Sequence, residues 1–445
     1  MKDDSTIDRR TFAMLGLSAA AVAAAGRSGR AEDSEDPDIG DTWMEARSGD
    51  IPVFFENSDA EFQFVRALGA ANADAAALGE CITVVRRIAP VVNAIEPSLP
   101  DYLENYFKLA GVWAPAWTEL AGKVESWADD SAKKGDEVSA RAAYLRATAY
   151  YRTAELVHPA AGKAGAKAVN ARGSRCFLEA GKRFDGGFEA LKFPYEGTEL
   201  PGYLITPDKT ATRRPTFLCF TGFDGSSEEV FFWAGVAAIE RGYNVALFDG
   251  PGHRAVLHED PKMVFRPDYN VPVSAFIDYL TTRTDVVDPD QIALCGCSFS
   301  GGLSARAAAE DHRIAAYVSY PPMIDNYKAF GEAVPEEMFD LEAPPHPAWV
   351  MGVKTLGELV EAMKPYNYRA DAARIKAPTL VLWSSGEGPL YKKHAEEFYR
   401  DLNVPKAIHG FKPAEGAAAH CSVNNIMRFN QVMFDWLDEA LKWRG

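Results

Sequence analysis

The sequence predicts an α/β protein: a mostly parallel, doubly wound sheet preceded by an α-helical region. Three observations carry this. Between residues 61 and 158 apolar residues recur at helical spacing. From Phe188 onward short buried-type runs alternate with helical ones, the pattern of βαβ units whose sheet is covered on both faces. A small-residue turn at 295–302 then joins one of these strands to a helix, with candidate acid and His partners downstream.

The first residues lie outside that architecture. Arg9-Arg10 is followed by Phe12 and an Ala-rich apolar run to Ala25, the order of regions of a Tat-type export signal. The run is too short and too rich in Ala to span a bilayer. Residues 1–31 are therefore expected to be a signal peptide and 32–41, acidic and Pro-containing, a linker. The protein is expected to be exported, to the periplasm or outside the cell, with no stable membrane insertion once the signal is removed.

Residues 42–187 read as an α-helical domain. Phe62, Val65, Leu68 and Ala71 start a helical stretch over 61–89, stopped at Pro90. A second runs from 102 to 128, with Pro115 expected to kink or divide it. A third covers 138–158, where Tyr150 and Tyr151 read as packing residues. Residues 188–445 form the α/β part. A hairpin spans 191–206 around Glu196-Gly197. Strands are expected at 215–221, 243–249, 291–296, 314–320, 378–383 and 406–411. Helices are expected at 228–241, 271–283, 303–310 and 425–443. The Pro- and aromatic-rich stretch at about 321–374 interrupts the alternation and reads as an insertion over the active edge of the sheet.

Composition narrows the function classes. The 445 residues carry 63 acids against 47 Lys and Arg, a net charge of −16, with no basic block; a nucleic-acid partner is not expected. Six cysteines show neither C-x-x-C pairs nor zinc spacing, so no metal and no cofactor is implied.

The chemistry sits at Gly296-Cys297-Ser298-Phe299-Ser300. A sharp strand-to-helix turn needs small neighbours and exposes a hydroxyl at the helix N-terminus, where free amides can hold an oxyanion. Ser298 is the candidate nucleophile, although Ser300 stands where such elbows usually have Gly; a shifted register would make Ser300 the nucleophile. A hydroxyl needs an adjacent base, and His420, in a loop of small residues after the last strand, is the candidate. The acid belongs after the 378–383 strand. That loop has no Asp, so Glu387 is the candidate and Asp325 the fallback. The order Ser, acid, His is that of α/β-hydrolases, and with the helical domain this gives the expected fold class: an α/β-hydrolase with an N-terminal helical domain. The loop after the first buried strand, Gly222-Phe223-Asp224-Gly225, lets backbone approach a ligand; Phe223 and Phe299 are the expected oxyanion donors. Glu228 or Glu229 either favours the helix dipole or faces the substrate. Phe231, Phe232 and Trp233 would suit an aromatic substrate and equally suit core packing. His253 and His258 read as part of the pocket wall.

These motifs resemble a particular α/β-hydrolase group: 2,6-dihydroxypseudooxynicotine hydrolase, fungal polyketide C–C hydrolases and the fermentation-respiration-switch esterases. The likeness covers most of 60–443. Its carriers include Pro194-Tyr-Glu-Gly-Thr-Glu-Leu-Pro-Gly-Tyr203, Gly222-Phe-Asp-Gly-Ser-Ser-Glu-Glu229, Asp249-Gly-Pro-Gly252, Gly296-Cys-Ser-Phe-Ser-Gly301 and Glu415-Gly-Ala-Ala-Ala-His-Cys421. It implies a cap made by the helical domain, a site between cap and sheet, often a homodimer, and a substrate-contacting carboxylate at Glu228; Gly222, from the glycine loop read above, is the other expected substrate contact. Three departures stand out: Ser227 replaces a Lys, Ser300 replaces a Gly, and the acid-loop Asp is absent. The expected activity is hydrolysis of a small carbonyl compound, with a C–C bond of an aryl ketone or β-diketone as the leading target. An esterase or prolyl-oligopeptidase-like aminopeptidase is the alternative, and a non-catalytic binding scaffold the second.

Overall fold

The computed structural model describes residues 54–55, 57–95, 102–332 and 334–444. The expected signal peptide and linker lie outside them. Five helices come first: α1 (Ser58–Gly69), α2 (Leu78–Val92), α3 (Tyr102–Lys134), α4 (Glu137–Leu156) and α5 (Ala164–Gly181). Asn57 caps α1, its side chain accepting from the Ala60 amide at 3.0 Å. The stretch read as one helix over 61–89 is two, separated by a 3₁₀ turn at Ala70–Ala73 and by Asp74 in the left-handed region. Conversely, Pro115 does not divide α3. Gly111, whose carbonyl the proline leaves without its helical donor, and Pro115 are both exposed, so water can serve that carbonyl. Buried Trp113 and Trp117 hold the helix on either side. Pro90 likewise lies inside the last turn of α2, on its exposed side.

The sheet has eight strands: β1 (Gly187–Tyr195), β2 (Thr198–Thr206), β3 (Arg214–Phe220), β4 (Asn244–Phe248), β5 (Val287–Cys297), β6 (Ile314–Tyr320), β7 (Thr379–Ser384) and β8 (Lys406–Phe411), in the order 1-2-4-3-5-6-7-8. The β1–β2 and β2–β4 pairs are antiparallel, and every other neighbouring pair, β4–β3 included, is parallel. The β1–β2 turn holds Glu196 and Gly197 at φ 41° and 80°. Two left-handed residues make the turn whose twist matches that of a hairpin. β3 and β4 are buried along almost their whole length, as a sheet covered on both faces requires.

The connections carry α6 (residues 227–240, with a π turn at Phe231–Gly235), α7 (Arg254–Glu259), α8 (Asn270–Thr282), α9 (Ser300–Glu310), α10 (Pro345–Met351), α11 (Leu356–Met363), α12 (Pro389–Asp401) and α13 (Ile426–Ala440). Pro-led α12 is absent from the sequence reading. The insertion after β6 is not bare loop: it contains α10 and α11, the latter started by a Thr355/Glu358 capping box. One buried apolar cluster runs from Trp113 and Phe177 of the helical region through Phe231 to Phe217 of the sheet. Phe177 meets Phe231 edge-on with ring centroids 5.3 Å apart. Burial of about 25 cal/mol per Å² of apolar surface thus ties helices and sheet into one body. Among the described residues no helix is long and apolar enough to cross a membrane.

Candidate active site

β5 ends at Cys297, and Ser298 follows with φ 59°. A non-Gly residue costs roughly 1–2 kcal/mol in that region. The surroundings hold it there: the Ser298 amide donates to Tyr320 C=O at 2.7 Å and its carbonyl accepts from Gly301 N–H at 2.8 Å. The neighbours have no room for side chains. A Cβ on Gly296 would stand 2.0 Å from Ser304 Oγ, and one on Gly301 would stand 1.9 Å from Pro321 O.

Ser300 solves the missing-glycine problem differently. Its buried hydroxyl accepts from Cys297 N–H at 2.8 Å and lies 2.7 Å from Cys297 C=O and 3.0 Å from Phe220 C=O, within reach to donate. The hydroxyl that departs from the usual motif is bound into the turn's own backbone, which leaves Ser298 as the serine that opens to the cleft.

His420 Nε2 lies 2.9 Å from Ser298 Oγ, and His420 Nδ1 contacts Glu387 Oε1. Glu387 is brought there by local chemistry. Ser384 and Glu387 form a reciprocal capping box around the 3₁₀ turn Ser385–Glu387, and Glu387 Oε2 accepts from Ser384 N–H at 2.9 Å. One carboxylate oxygen caps the turn while the other faces the imidazole. The Ser-x-x-Glu spacing is a readable sequence signal for this arrangement. The His420 loop is fastened to the acid turn by Gly386 N–H to Ala418 C=O at 3.1 Å. Below them Tyr320 OH lies 2.6 Å from Ser384 Oγ and contacts Ser422 Oγ. Burial, then the nearby Glu387 carboxylate, pushes the Tyr320 phenol well above its ordinary pKa, so it stays neutral. Asp325 is held elsewhere, by Arg369 Nε at 3.1 Å and the Lys328 amide.

The cleft above Ser298 encloses about 1140 Å³, open solvent at its mouth included. Gly222, Phe223 and Phe299 line it, as do Phe62 and Arg66 of α1, Trp233 of α6, and Phe330, His346 and Leu359 of the insertion. Phe231 and Phe232 do not; they are core residues. His253 and His258 also stay out of the cleft. His253 Nε2 lies 3.1 Å from Thr221 C=O, and burial lowers its pKa to about 3. His258 pairs with Glu155 at 2.8 Å.

Glu228, the carboxylate implied to meet substrate, does not reach the cleft. It is buried, and its Oε1 accepts from Ser174 Oγ at 3.0 Å and Tyr203 OH at 2.9 Å. Glu229 lines the cleft instead. Consecutive helical side chains point about 100° apart, and Arg66 and Arg152 draw Glu229 to the cleft side at 2.7 and 2.5 Å. Asp249, which accepts from Ser227 N–H at 3.2 Å, has its pKa pushed up to about 8 by burial and then by Glu228. Burial would raise Asp224 as well, but Arg66 overrides it and holds the carboxyl well below its usual range.

Glu387, His420 and Cys421 bring a carboxylate oxygen, a ring nitrogen and a sulfur within 4.8 Å of one another. Both His420 nitrogens already face protein partners, and Cys421 Sγ lies 3.8 Å from Tyr320 C=O.

A mostly parallel eight-stranded sheet with an elbow at the end of β5, and helices on both faces, defines an α/β-hydrolase. Within that class the chain belongs to the FrsA-like esterase family, whose model matches residues 83–343. Among its relatives is the hydrolase LUC6 of Fusarium sp, 28% identical over 426 residues, spanning 87% of this chain and 97% of the relative. Another is the 20-hydroxy-prefusarin hydrolase FUS2 of Gibberella moniliformis, 26% identical over 436 residues, spanning 87% and 97%. Of solved structures, 2,6-dihydroxy-pseudo-oxynicotine hydrolase superposes with a TM-score of 0.65 at 21% identity, over 85% of this chain and 97% of that one. The protein is a hydrolase.

Proposed function

We propose that Ser298, His420 and Glu387 form a catalytic triad that hydrolyses a small carbonyl compound with an aromatic or apolar group, first of all a C–C bond of an aryl ketone or β-diketone. The observation that carries this reading is the continuous line of contacts from Ser298 Oγ through His420 to buried Glu387 at the floor of an apolar cleft. In it, His420 Nε2 takes the Ser298 proton as Oγ bonds to the carbonyl carbon. The Phe223 and Phe299 amides face the resulting oxyanion. The bond to the leaving carbon breaks, and that carbon takes the proton from His420. Water then gives a proton to His420 and adds to the acyl carbon; the bond from that carbon to Oγ breaks, Ser298 Oγ takes the proton back from His420, and a carboxylic acid leaves. Glu387 keeps the imidazole oriented and its charged form stabilised. The aromatic wall of Phe62, Phe223 and Phe330 supports an aryl or diketone substrate. The family's esterase character favours ester cleavage as the second reading, with the same steps and an alkoxide leaving group. Export by the Tat pathway belongs to the proposal too, supported by Arg9-Arg10 and the apolar run behind them.

A fluorophosphonate should label Ser298, and His420→Ala should abolish the label. Benzoylacetone should yield benzoate with acetone, or acetate with acetophenone, faster than p-nitrophenyl butyrate or a dipeptide amide is cleaved. Faster ester turnover would favour the second reading. Turnover with Ser298→Ala intact would remove the triad altogether.

A further inference from the structure

The loop at residues 222–226, which carries the Phe223 amide, is gripped from both sides by segments outside the sheet. From α1, Arg66 Nη1 lies 2.9 Å from Asp224 Oδ2 and Nη2 lies 3.1 Å from Oδ1, a bidentate fork. The same guanidinium reaches Glu229 through Nε at 2.7 Å and Nη2 at 2.9 Å. Its side chain is only 12% exposed. One planar group thus spans two carboxylates that lie about 160 positions further along the chain, a task that an ammonium's single centre cannot do. From the insertion, His346 Nε2 lies 3.1 Å from Phe223 C=O. Burial, then Arg254, lowers the pKa of this imidazole to about 4, so the ring is neutral and donates from the nitrogen that faces the carbonyl. The Phe223 ring stacks on Phe265, centroids 5.5 Å apart and 5° from parallel.

What lies between the two grips is the part of the loop that must be placed most accurately. A Cβ on Gly222 would come 2.7 Å from Ser298 Cβ and 3.1 Å from its Oγ, so the loop already rests against the nucleophile. The Phe223 N–H lies one peptide from that contact. Its C=O is held by His346, and the next side chain, Asp224, is held by Arg66. A preorganised donor works only if it need not move when charge develops.

We infer that Arg66 is a positioning residue for hydrolysis: its fork on Asp224 fixes the Phe223 amide against Ser298, so that the helical domain completes the oxyanion site as well as covering it. The inference rests on the triad reading above. Its rival is a purely structural role, in which the fork joins the helical domain to the sheet and nothing more.

The test uses the full-length protein with p-nitrophenyl butyrate as substrate and phenylboronic acid as inhibitor, since a boronate adduct on Ser298 sets an oxygen where the oxyanion would stand. Arg66→Gln and Asp224→Asn are compared with wild type, and the second, which keeps side-chain size, is read alone if the first does not fold. The expected result is a fall in kcat of ~10–100-fold with KM within about threefold, because misplacing a group by ~1 Å costs ~100-fold. The boronate Ki should rise by the same factor. A folded variant with lowered melting temperature but unchanged kcat overturns the inference, as does a fall in kcat that leaves boronate binding untouched. If wild type itself is neither labelled at Ser298 nor active on the ester, the triad reading fails and takes the inference with it.

Discussion

Replacing Glu387 by Gln should remove nearly all activity while the protein stays folded. Glu387 has no exposed side-chain surface and two specific duties. Its Oε2 accepts from Ser384 N–H at 2.9 Å. Its Oε1 contacts His420 Nδ1, which must carry a proton if Nε2 is to accept from Ser298. A Gln can satisfy only one side with its carbonyl. If the carbonyl stays on the backbone amide, the NH₂ faces Nδ1, which then accepts and forces the proton onto Nε2, where it blocks the base. If the amide flips, the NH₂ meets the Ser384 N–H, leaving a buried donor unmet at a cost of ~1–3 kcal/mol. The carboxylate in a Ser-His-acid site is worth ~10⁴-fold in kcat when replaced by its amide, or about 5.4 kcal/mol at 1.36 kcal/mol per decade. Glu387→Asp should fall between, because a side chain one methylene shorter cannot reach both Ser384 N–H and Nδ1. Steady-state kinetics on p-nitrophenyl butyrate, with fluorophosphonate labelling rates alongside, give the readout. Activity of Glu387→Gln within threefold of wild type, in a protein whose melting temperature is preserved, would refute the assignment of the acid.

Two further substitutions probe the surroundings. Ser300→Ala should leave fluorophosphonate labelling at Ser298 intact while lowering stability by ~1–3 kcal/mol in denaturant titrations, because the buried Cys297 N–H loses its acceptor; loss of labelling with stability preserved would point to Ser300 as the nucleophile. Asp249→Asn should flatten the dependence of melting temperature on pH: with its folded pKa raised to about 8, Asp249 contributes stability that is full below the unfolded carboxylate range and is lost as pH climbs to about 8, whereas Asn keeps the Ser227 N–H bond without a charge to bury. Wild type should therefore lose ground to the variant between pH 4 and 8, and parallel curves would contradict the assignment of Asp249 as the group responsible.

The strands of this fold were legible because their signal is local. Runs such as Phe217-Leu218-Cys219-Phe220 are buried on both faces and look it, and Glu196-Gly197 announces its hairpin. The small-residue turn around Ser298 was legible for the same reason: each glycine that packs against Pro321 or Ser304 is demanded by a contact within the elbow and its neighbours. Helix boundaries were less so. Whether Pro115 breaks α3 depends on which way it faces, and α12 is a short amphipathic segment behind a Pro that reads equally as loop. The choice between Glu228 and Glu229 was beyond reach. It turns on Tyr203, Ser174, Arg66 and Arg152, four residues between 25 and 163 positions away. Arg66 and His346 were missed for the same reason, since nothing near either in sequence marks it as a neighbour of the loop at 222–226.

The division between what is local and what is distant follows a division of labour in the site. The groups proposed to do the chemistry sit on loops at one edge of the sheet, and a short hydrogen-bonded network braces them from beneath. Ser422 Oγ lies 2.8 Å from Ala417 C=O, where it can only be the donor, so its contact with Tyr320 OH is one in which Tyr320 donates. Tyr320 in turn can accept from Ser384 Oγ at 2.6 Å, beside the capped Glu387. That directed chain links the acid turn, the end of β6 and the His420 loop. It also helps to hold Cys421 and Ser422 at φ 51° and 50°, a conformation that costs each of them roughly 1–2 kcal/mol. Part of the cleft wall stands apart from this network. Phe62 and Arg66 come from α1, and Phe330, His346 and Leu359 from the insertion, all outside the strand-helix alternation that builds the sheet. Changes in those two segments can therefore reshape the cleft while the network under Ser298 stays intact. On this argument the family's chemistry should persist across relatives whose walls differ, and substrate choice should follow the helical domain and the insertion together.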